Sequence, residues 1–445
     1  MVVLKFGGTS VRDATWIDKA LDIANDYLDR APVLVASAMG KTTDRLQEIA
    51  NLTECGERNK AEEVFKALKK AHISVVDEFL TGDIRNECIE KVNGLFDELR
   101  SIVKGLSLLK ECTPRSNDMI LSFGELLSTT IIAYRARERG IDTTFIDSRE
   151  IIKTDGGFSK AVPIFKQTNI LIKDKIKPER GKLSVAQGFI GSTESGITTT
   201  LGRGGSDYTA AIIGAALSAE QIVIWTDVDG IMSSDPRTVQ KASTIPKISY
   251  KEAAELAYFG AKVIHPSAIQ PATKIDIPII VKNTGNPSGS GTEIIKNVTC
   301  EGPKAIAFKK GITLISITSY RMLFAYGFLR RIFEIYEKYN TSVDLISTSE
   351  VSVSMTIDDT IHLKGIKTEL ENIGSVGIEE NKSIICLVGQ GLWRDSLFIS
   401  KVFSNLKHIP IRMISLGASD TNLSFVVPDS EAENTIQILH KEFFE

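Results

Sequence analysis

The chain has 445 residues, 42% of them apolar and 24% charged, with a formal charge of −3 at neutral pH. That length exceeds what one hydrophobic core organises and predicts about three domains. The balanced, interspersed charge leaves no electrostatic footprint for nucleic acid or an anionic membrane, so small molecules are the expected partners. The five cysteines are scattered and form no C-x-x-C pair, which argues against a disulfide framework or a zinc site. The five histidines lack metal-binding or triad spacing, and no metal ligand is assigned. The sequence opens on a strand-like run instead of a signal peptide, and its most apolar stretch, 208–225, is broken by Glu220 and Gln221. A cytoplasmic protein is expected.

In chain order, β-branched runs at 2–6, 33–37, 144–146, 222–226 and 277–281 read as strands alternating with helical patterns. This alternation predicts an α/β fold around a largely parallel sheet. From 46 to 110 the pattern is long, charged and helical, an insertion beside that sheet. The Gly/Ser/Pro-rich stretch 283–291 marks a loop near the end of the first domain. Two later segments repeat the plan strand, helix, strand, strand, helix. The first runs through 312–317, 327–339, 342–347 and 351–357, the second through 383–388, 396–406, 410–416 and 422–427. Paired βαββαβ units of this size predict two ferredoxin-like modules suited to a small ligand.

Five motifs carry candidate chemistry. Lys5-Phe6-Gly7-Gly8-Thr9-Ser10-Val11 ends a buried strand. Adjacent glycines let backbone N–H groups approach a phosphate, Thr9 and Ser10 add hydroxyls, and Lys5 supplies a point charge. Gly40-Lys41-Thr42 imitates the end of a P-loop, but the glycine that such a loop needs at position 35 is Val, so Ser37 and Thr43 are read as hydroxyl donors beside a crevice. Ser122-Phe123-Gly124-Glu125 leads into an apolar helix at 126–136, which puts Glu125 in a first turn; its charge suits an ammonium group. Gly202-Arg203-Gly204-Gly205-Ser206-Asp207 runs into a helix N-terminus, where N–H groups bind one anion and Arg203 clamps a carboxylate. Thr226-Asp227-Val228-Asp229-Gly230 sits at a strand's C-terminal end, the edge where open α/β sheets bind ligands.

Together and in this order, the motifs K-F-G-G-T-S-V, G-R-G-G-S-D and T-D-V-D-G resemble those of the aspartate kinases of the amino acid kinase family. The resemblance covers essentially the whole chain. It implies an α/β fold, a three-layer sandwich with a mostly parallel central sheet, followed by two ACT domains. The division it implies is 1–296 for the catalytic domain, 312–380 for the first ACT domain, and 303–311 plus 381–445 for the second. The strand at 305–308 would join the second module, so that the two interlace. A fused homoserine dehydrogenase is not expected after them.

The same likeness implies Lys5 and Asp207 as catalytic residues, with Gly7, Gly8, Thr9, Ser10, Gly204 and Gly205 around the phosphates. Ser37, Thr43, Glu125, Arg203 and Ser206 match aspartate-binding positions. Thr226, Asp227, Met232, Arg237, Lys262 and Val263 match nucleotide contacts, although Met232 stands where many relatives carry Tyr. Met322, Ala325, Gly327, Phe328, Leu329, Ser342, Val343, Asp344, Ser349 and Glu350 resemble the effector site of the lysine-inhibited class, with Phe324 and Ala325 replacing more polar residues. Implied partners are L-aspartate, ATP with Mg²⁺, lysine as effector, and a second copy of the chain, as a homodimer or dimer of dimers through the ACT domains. The competing expectations are another carboxylate kinase of the family and a catalytically silent amino-acid sensor.

Overall fold

The computed structural model describes residues 1–260, 263–320, 322 and 326–445, which form two compact units. The first holds 1–231, 246–250 and 263–297; the second holds 232–245, 251–260 and the described residues from 298 onward.

Ten strands belong to the first unit: β1 (Val2–Phe6), β2 (Val33–Ala36), β3 (Asp142–Ile146), β4 (Lys182–Gln187), β5 (Ile190–Ser192), β6 (Thr198–Thr200), β7 (Gln221–Thr226), β8 (Lys247–Ser249), β9 (Ile279–Asn283) and β10 (Thr292–Ile295). Eight of them make one sheet in the order β3-β4-β2-β1-β7-β9-β10-β8, while β5 and β6 form a separate hairpin. Every pairing in the large sheet is parallel except β9 with β10. Strands covered on both faces read as continuous apolar runs, and β1 is buried along its whole length.

The period of two in β1 decides where its side chains go. Val2, Leu4 and Phe6 join the core built with helices Ala14–Asn25 and Pro114–Glu138. Val3 faces Gly214 of helix Gly205–Leu217 on the other face. Lys5 shares that face, which aims the one polar residue of β1 at the start of this helix. Helices on both faces complete the three layers.

The insertion is three consecutive helices, Thr42–Glu54, Arg58–Phe79 and Gly82–Leu109. Leu46, Phe65, Val76, Val92 and Phe96 bury their stripes in the same core as helix Pro114–Glu138. That last helix starts earlier than its apolar run suggests. Thr113 caps it by accepting from Ser116 N–H, and Pro114 occupies the first helical position, where no N–H is missed.

The second unit contains β11 (Gly302–Thr318), β12 (Ile346–Thr348), β13 (Ser352–Ile357), β14 (Ser375–Gln390), β15 (Met413–Leu416) and β16 (Asn422–Pro428), in the antiparallel order β12-β13-β11-β14-β16-β15. β11 and β14 are long and pair with each other twice. Ala305–Lys309 lie against Ile384–Val388, and Leu314–Thr318 against Ser375–Glu379, with bulges between. Two cores result. Ile315, Ile332, Tyr336, Val353 and Leu370 centre one, and Ile385, Phe398, Phe425, Ile436 and Leu439 the other. The expected strand at 342–347 shrinks to Ile346–Thr348, and that at 410–416 to Met413–Leu416. Among the described residues, no helix is long and apolar enough to cross a membrane.

Candidate active site

Four elements converge on a cleft of about 570 Å³ in the first unit. They are the end of β1, the loop after β2 with helix Thr42–Glu54, the middle of helix Pro114–Glu138, and the loop from β6 into helix Gly205–Leu217. Lys5, Gly8, Ser37, Thr43, Glu125, Arg203, Gly204, Gly205, Ser206 and Asp207 all line it.

At one end, Lys5 Nζ stands 2.6 Å from Asp207 Oδ1 with both side chains 11% exposed. The contact is a charge pair approached off the hydrogen-bonding directions, because Oδ1 has no hydrogen-bond partner. Asp207 lies in the first turn of its helix, where the dipole favours its negative charge. The pair thus holds an ammonium at a helix N-terminus, a place suited to phosphate oxygens.

The glycines have more specific reasons than phosphate access. A Cβ on Gly8 would meet the Ala38 carbonyl at 2.9 Å and that of Gly40 at 3.1 Å, and Gly40 N–H donates to Gly8 O at 3.0 Å. Gly8 therefore locks the first loop onto the second. The N–H of Gly7 is spent on Trp225 O and that of Gly205 on Gly202 O, which removes both from the expected phosphate donors. Gly204 sits at φ +72°, and a Cβ there would fall 2.2 Å from His265 Cβ. Ser10 is also corrected. It is fully buried, its hydroxyl donates to Trp225 O and accepts from Thr284, and its N–H bonds Gly7 O. It braces the loop from behind, while Thr9 is exposed and off the cleft wall.

Glu125 is placed differently from the expectation. It lies in the middle of helix Pro114–Glu138, so the macrodipole does not explain it. The residue is 3% exposed; Oε1 accepts from Ala38 N–H at 3.0 Å, and Oε2 is buried without a partner. Burial pushes its carboxyl up to about 8, against the pull of the Ala38 hydrogen bond. A buried carboxyl oxygen without a partner on a cleft wall suits a cationic hydrogen-bond donor. Arg203 is exposed on the same cleft. His265 lies near enough that burial, and then the Arg203 charge, push its pKa below the ordinary value.

Reasoning from sequence missed several wall residues. Asp118, Asn117 and Gln47 belong to the cleft, as do Ser159 and Phe189. Asn117 and Gln47 exchange two amide hydrogen bonds of 3.1 Å, and Asp118 accepts from Ser159 and Thr200. Asp118 lies about two helical turns before Glu125, at i−7, a spacing that was available in the sequence.

The remaining predicted residues divide between the units. Thr226 ends β7 and donates to Asp227, and Val263 also lies in the first unit. Met232 and the exposed Arg237, which is paired with Asp235 at 2.7 Å, belong to the second. Lys262 and Ala325, with Phe324, lie outside the described residues. In the second unit Gly327 caps helix Phe328–Lys338 at φ +78°. Phe328 is buried in the module core, with Met322 and Val343 packed against it, while Leu329, Ser342, Ser349 and Glu350 are exposed. Asp344, expected to meet a ligand ammonium, meets Lys309 of its own chain at 2.7 Å and accepts from Tyr258 at 2.8 Å. Lys309 also reaches Asp358 at 2.6 Å. One Asp344 oxygen, Oδ2, has no hydrogen-bond partner.

The amino acid kinase family model matches residues 1–283, and an ACT domain model matches 385–443. Over 100% of this chain, identity is 38% to lysine-sensitive aspartokinase 3 of Escherichia coli, 99% of which is covered. Identity is also 38% to chloroplastic aspartokinase 1 of Arabidopsis thaliana, of which 80% is covered. Among solved structures, E. coli aspartokinase III in complex with aspartate and ADP (R-state) matches over 100% of both chains, with 36% identity and a TM-score of 0.89. The same enzyme in complex with lysine and aspartate (T-state) matches at a TM-score of 0.82 with 36% identity, again over 100% of both chains. Similarity of this extent, over a cleft that gathers Lys5, Glu125, Arg203 and Asp207, has one reading: the chain belongs to the amino acid kinase family and, within it, to the aspartokinases.

Proposed function

We propose that the chain transfers the γ-phosphoryl group of ATP to the β-carboxylate of L-aspartate, giving 4-phospho-L-aspartate, the first step towards lysine, threonine and methionine. The observation that carries this reading is one cleft holding the Lys5–Asp207 pair together with Glu125 and Arg203. Glu125, with its orphaned oxygen, takes the α-ammonium. Arg203 takes the α-carboxylate in bidentate fashion, helped by Ser37, Thr43 and Ser206. The β-carboxylate is then left facing the phosphate end of the cleft.

That acceptor is already an anion, so the reaction needs no general base. Catalysis is in-line positioning and the neutralisation of charge that spreads over the transferring phosphoryl oxygens. Lys5 supplies that charge, and Asp207 fixes its position. Helix Gly205–Leu217 points its N-terminus at the same spot, with the dipole adding to the effect. Gly8 and Gly204 let two loops approach this point closely. Thr226, Asp227 and Val263 contact the nucleotide.

Mg²⁺ fits this chemistry, since it keeps waters and phosphate oxygens and asks the protein for one or two carboxylates. Asp207, on the cleft wall beside Lys5, would hold it. When bound, the ion neutralises phosphate charge.

In the second unit we assign the division 312–380 and 303–311 plus 381–445 to two ACT domains. Lysine is the effector, supported by similarity to the lysine-sensitive enzyme, and the ACT domains join copies of the chain. A cytoplasmic location completes the reading. The deciding experiment is aspartyl hydroxamate formation from aspartate, MgATP and hydroxylamine, with and without lysine. Hydroxamate that depends on aspartate and falls with lysine is expected; its absence with an intact fold overturns the kinase in favour of an amino-acid sensor.

A further inference from the structure

Asp118 has no exposed surface, yet it belongs to the cleft wall. Both its oxygens accept from Ser159 N–H, at 3.1 and 2.9 Å. Oδ2 also takes Thr200 N–H at 2.8 Å, and Oδ1 takes the Thr200 hydroxyl at 2.8 Å. With three donors making four hydrogen bonds to it, this carboxylate has little capacity for a ligand. Its partners are what face the substrate.

Thr200 ends β6 three residues before Arg203. Ser159 lies on a neighbouring segment that runs beside it. Ala161 N–H donates to Thr200 O at 2.9 Å, and a Cβ on Gly202 would touch Ser159 O at 3.0 Å. Ser159 itself holds φ +70°, a strained conformation for a residue with a side chain, and the N–H it presents goes to Asp118. Both segments of this tongue therefore hang from one carboxylate. Asp118 and Glu125 are two turns apart on one helix, so the helix itself sets the spacing between the tongue and Glu125.

We propose that Asp118 is a positioning residue: through Thr200 and Ser159 it fixes the Arg203 loop at a set distance from Glu125, and thereby decides which length of amino dicarboxylic acid the cleft accepts. The inference rests on the aspartate kinase reading. Arg203 and Glu125 grip the two α-substituents, so a displaced Arg203 loop tilts the substrate and moves its distal carboxylate away from Lys5. Misplacement of about 1 Å can cost roughly 100-fold in such a reaction. A methylene added to the substrate is normally discriminated by roughly 10- to 200-fold, and a loosened loop gives part of that away.

The test is steady-state kinetics of Asp118→Ala, Asp118→Asn and Thr200→Val on the full chain, with aspartate, glutamate and ATP each varied. For Asp118→Ala, the aspartate KM rises about tenfold or more, the ATP KM stays within about twofold, and the preference for aspartate over glutamate narrows. Asp118→Asn recovers most of the loss, because the amide oxygen still accepts both N–H groups and the Thr200 hydroxyl can turn to accept from the amide nitrogen. An unchanged aspartate KM in folded Asp118→Ala overturns the proposal, as does an equal rise in both KM values. If Asp118→Ala does not fold, Thr200→Val decides: it removes only the hydroxyl bond, and its aspartate KM alone must rise. Wild-type turnover separates the two readings, since a wild type inactive with aspartate refutes the substrate and an active one with unaffected variants refutes only the positioning role.

Discussion

Glu125 makes the cleft sensitive to pH in a way that can be worked out. Burial lifts its carboxyl from 4.5 to about 8, so near pH 7 the empty site holds it mostly protonated. An arriving α-ammonium needs the carboxylate. Binding aspartate at pH 7 therefore releases about one proton, and below pH 8 affinity rises by up to tenfold per pH unit. Burial, and then the Arg203 charge, lower the pKa of the neighbouring His265, which moves its titration away from that of Glu125. The perturbation is Glu125→Gln, which keeps an acceptor for Ala38 N–H and has nothing to ionise. Titration calorimetry in two buffers of different ionisation enthalpy reads the proton directly. Wild type gives a roughly tenfold tighter Kd at pH 7.5 than at 6.5; the variant gives a flat, weaker profile with no proton release.

Stability follows with its own sign. The folded protein retains a proton on Glu125 that the unfolded chain gives up above 4.5, so this group's stabilising contribution is whole below 4.5 and is lost as pH rises towards 8. At about 1.4 kcal/mol per pH unit, the range from 4.5 to about 8 caps the effect at about 5 kcal/mol. An unpaired amide in place of Oε2 takes back about 1–3 kcal/mol. The ligand-free variant is therefore expected to melt higher than wild type above pH 7. A wild type whose aspartate affinity ignores pH, or a variant that keeps the wild-type slope, refutes this account of Glu125.

Lys5→Met should lower kcat for hydroxamate formation by about 1000-fold or more while aspartate still binds, as calorimetry can check; retained turnover removes Lys5 from the chemistry. Gly204→Ala adds a Cβ at φ +72° and 2.2 Å from His265 Cβ, so thermal unfolding should show a loss of about 3 kcal/mol or more, and an unchanged melting point would contradict the packing described. Asp344→Ala should weaken lysine binding at least about tenfold by calorimetry, and unaltered binding would take Asp344 out of the effector site.

Much of this was legible because the signals are local. The runs at 2–6, 33–37 and 222–226 became β1, β2 and β7 within a residue, since buried parallel strands are apolar without interruption. β4 escaped because Lys182–Gln187 mixes polar and apolar residues, and β5, β6, β8 and β10 because three or four residues carry too little pattern. Lys5, Glu125, Arg203 and Asp207 were found by charge beside glycine. Glu125 was nevertheless put in a first turn, because its helix begins eleven residues earlier in polar sequence, at Pro114. Ser10 and the Gly7 N–H were misread for another reason: what they bond to, the Trp225 carbonyl, is set by tertiary contact, while the Gly205 N–H folds back onto Gly202 O in a local turn. Lys309 beside Asp344 was invisible in the same sense, joining positions on separate strands and loops.

The doubled pairing of β11 with β14 bears on how the regulatory half is made. The strand at Ala305–Lys309 leaves the ribosome early but finds its mate only when Ile384–Val388 has emerged, so the second module cannot close its sheet until the first has been synthesised in full. Ending the chain between these two stretches of β14 keeps the pairing of Leu314–Thr318 with Ser375–Glu379 but leaves Ala305–Lys309 without a mate, so only the second module is lost.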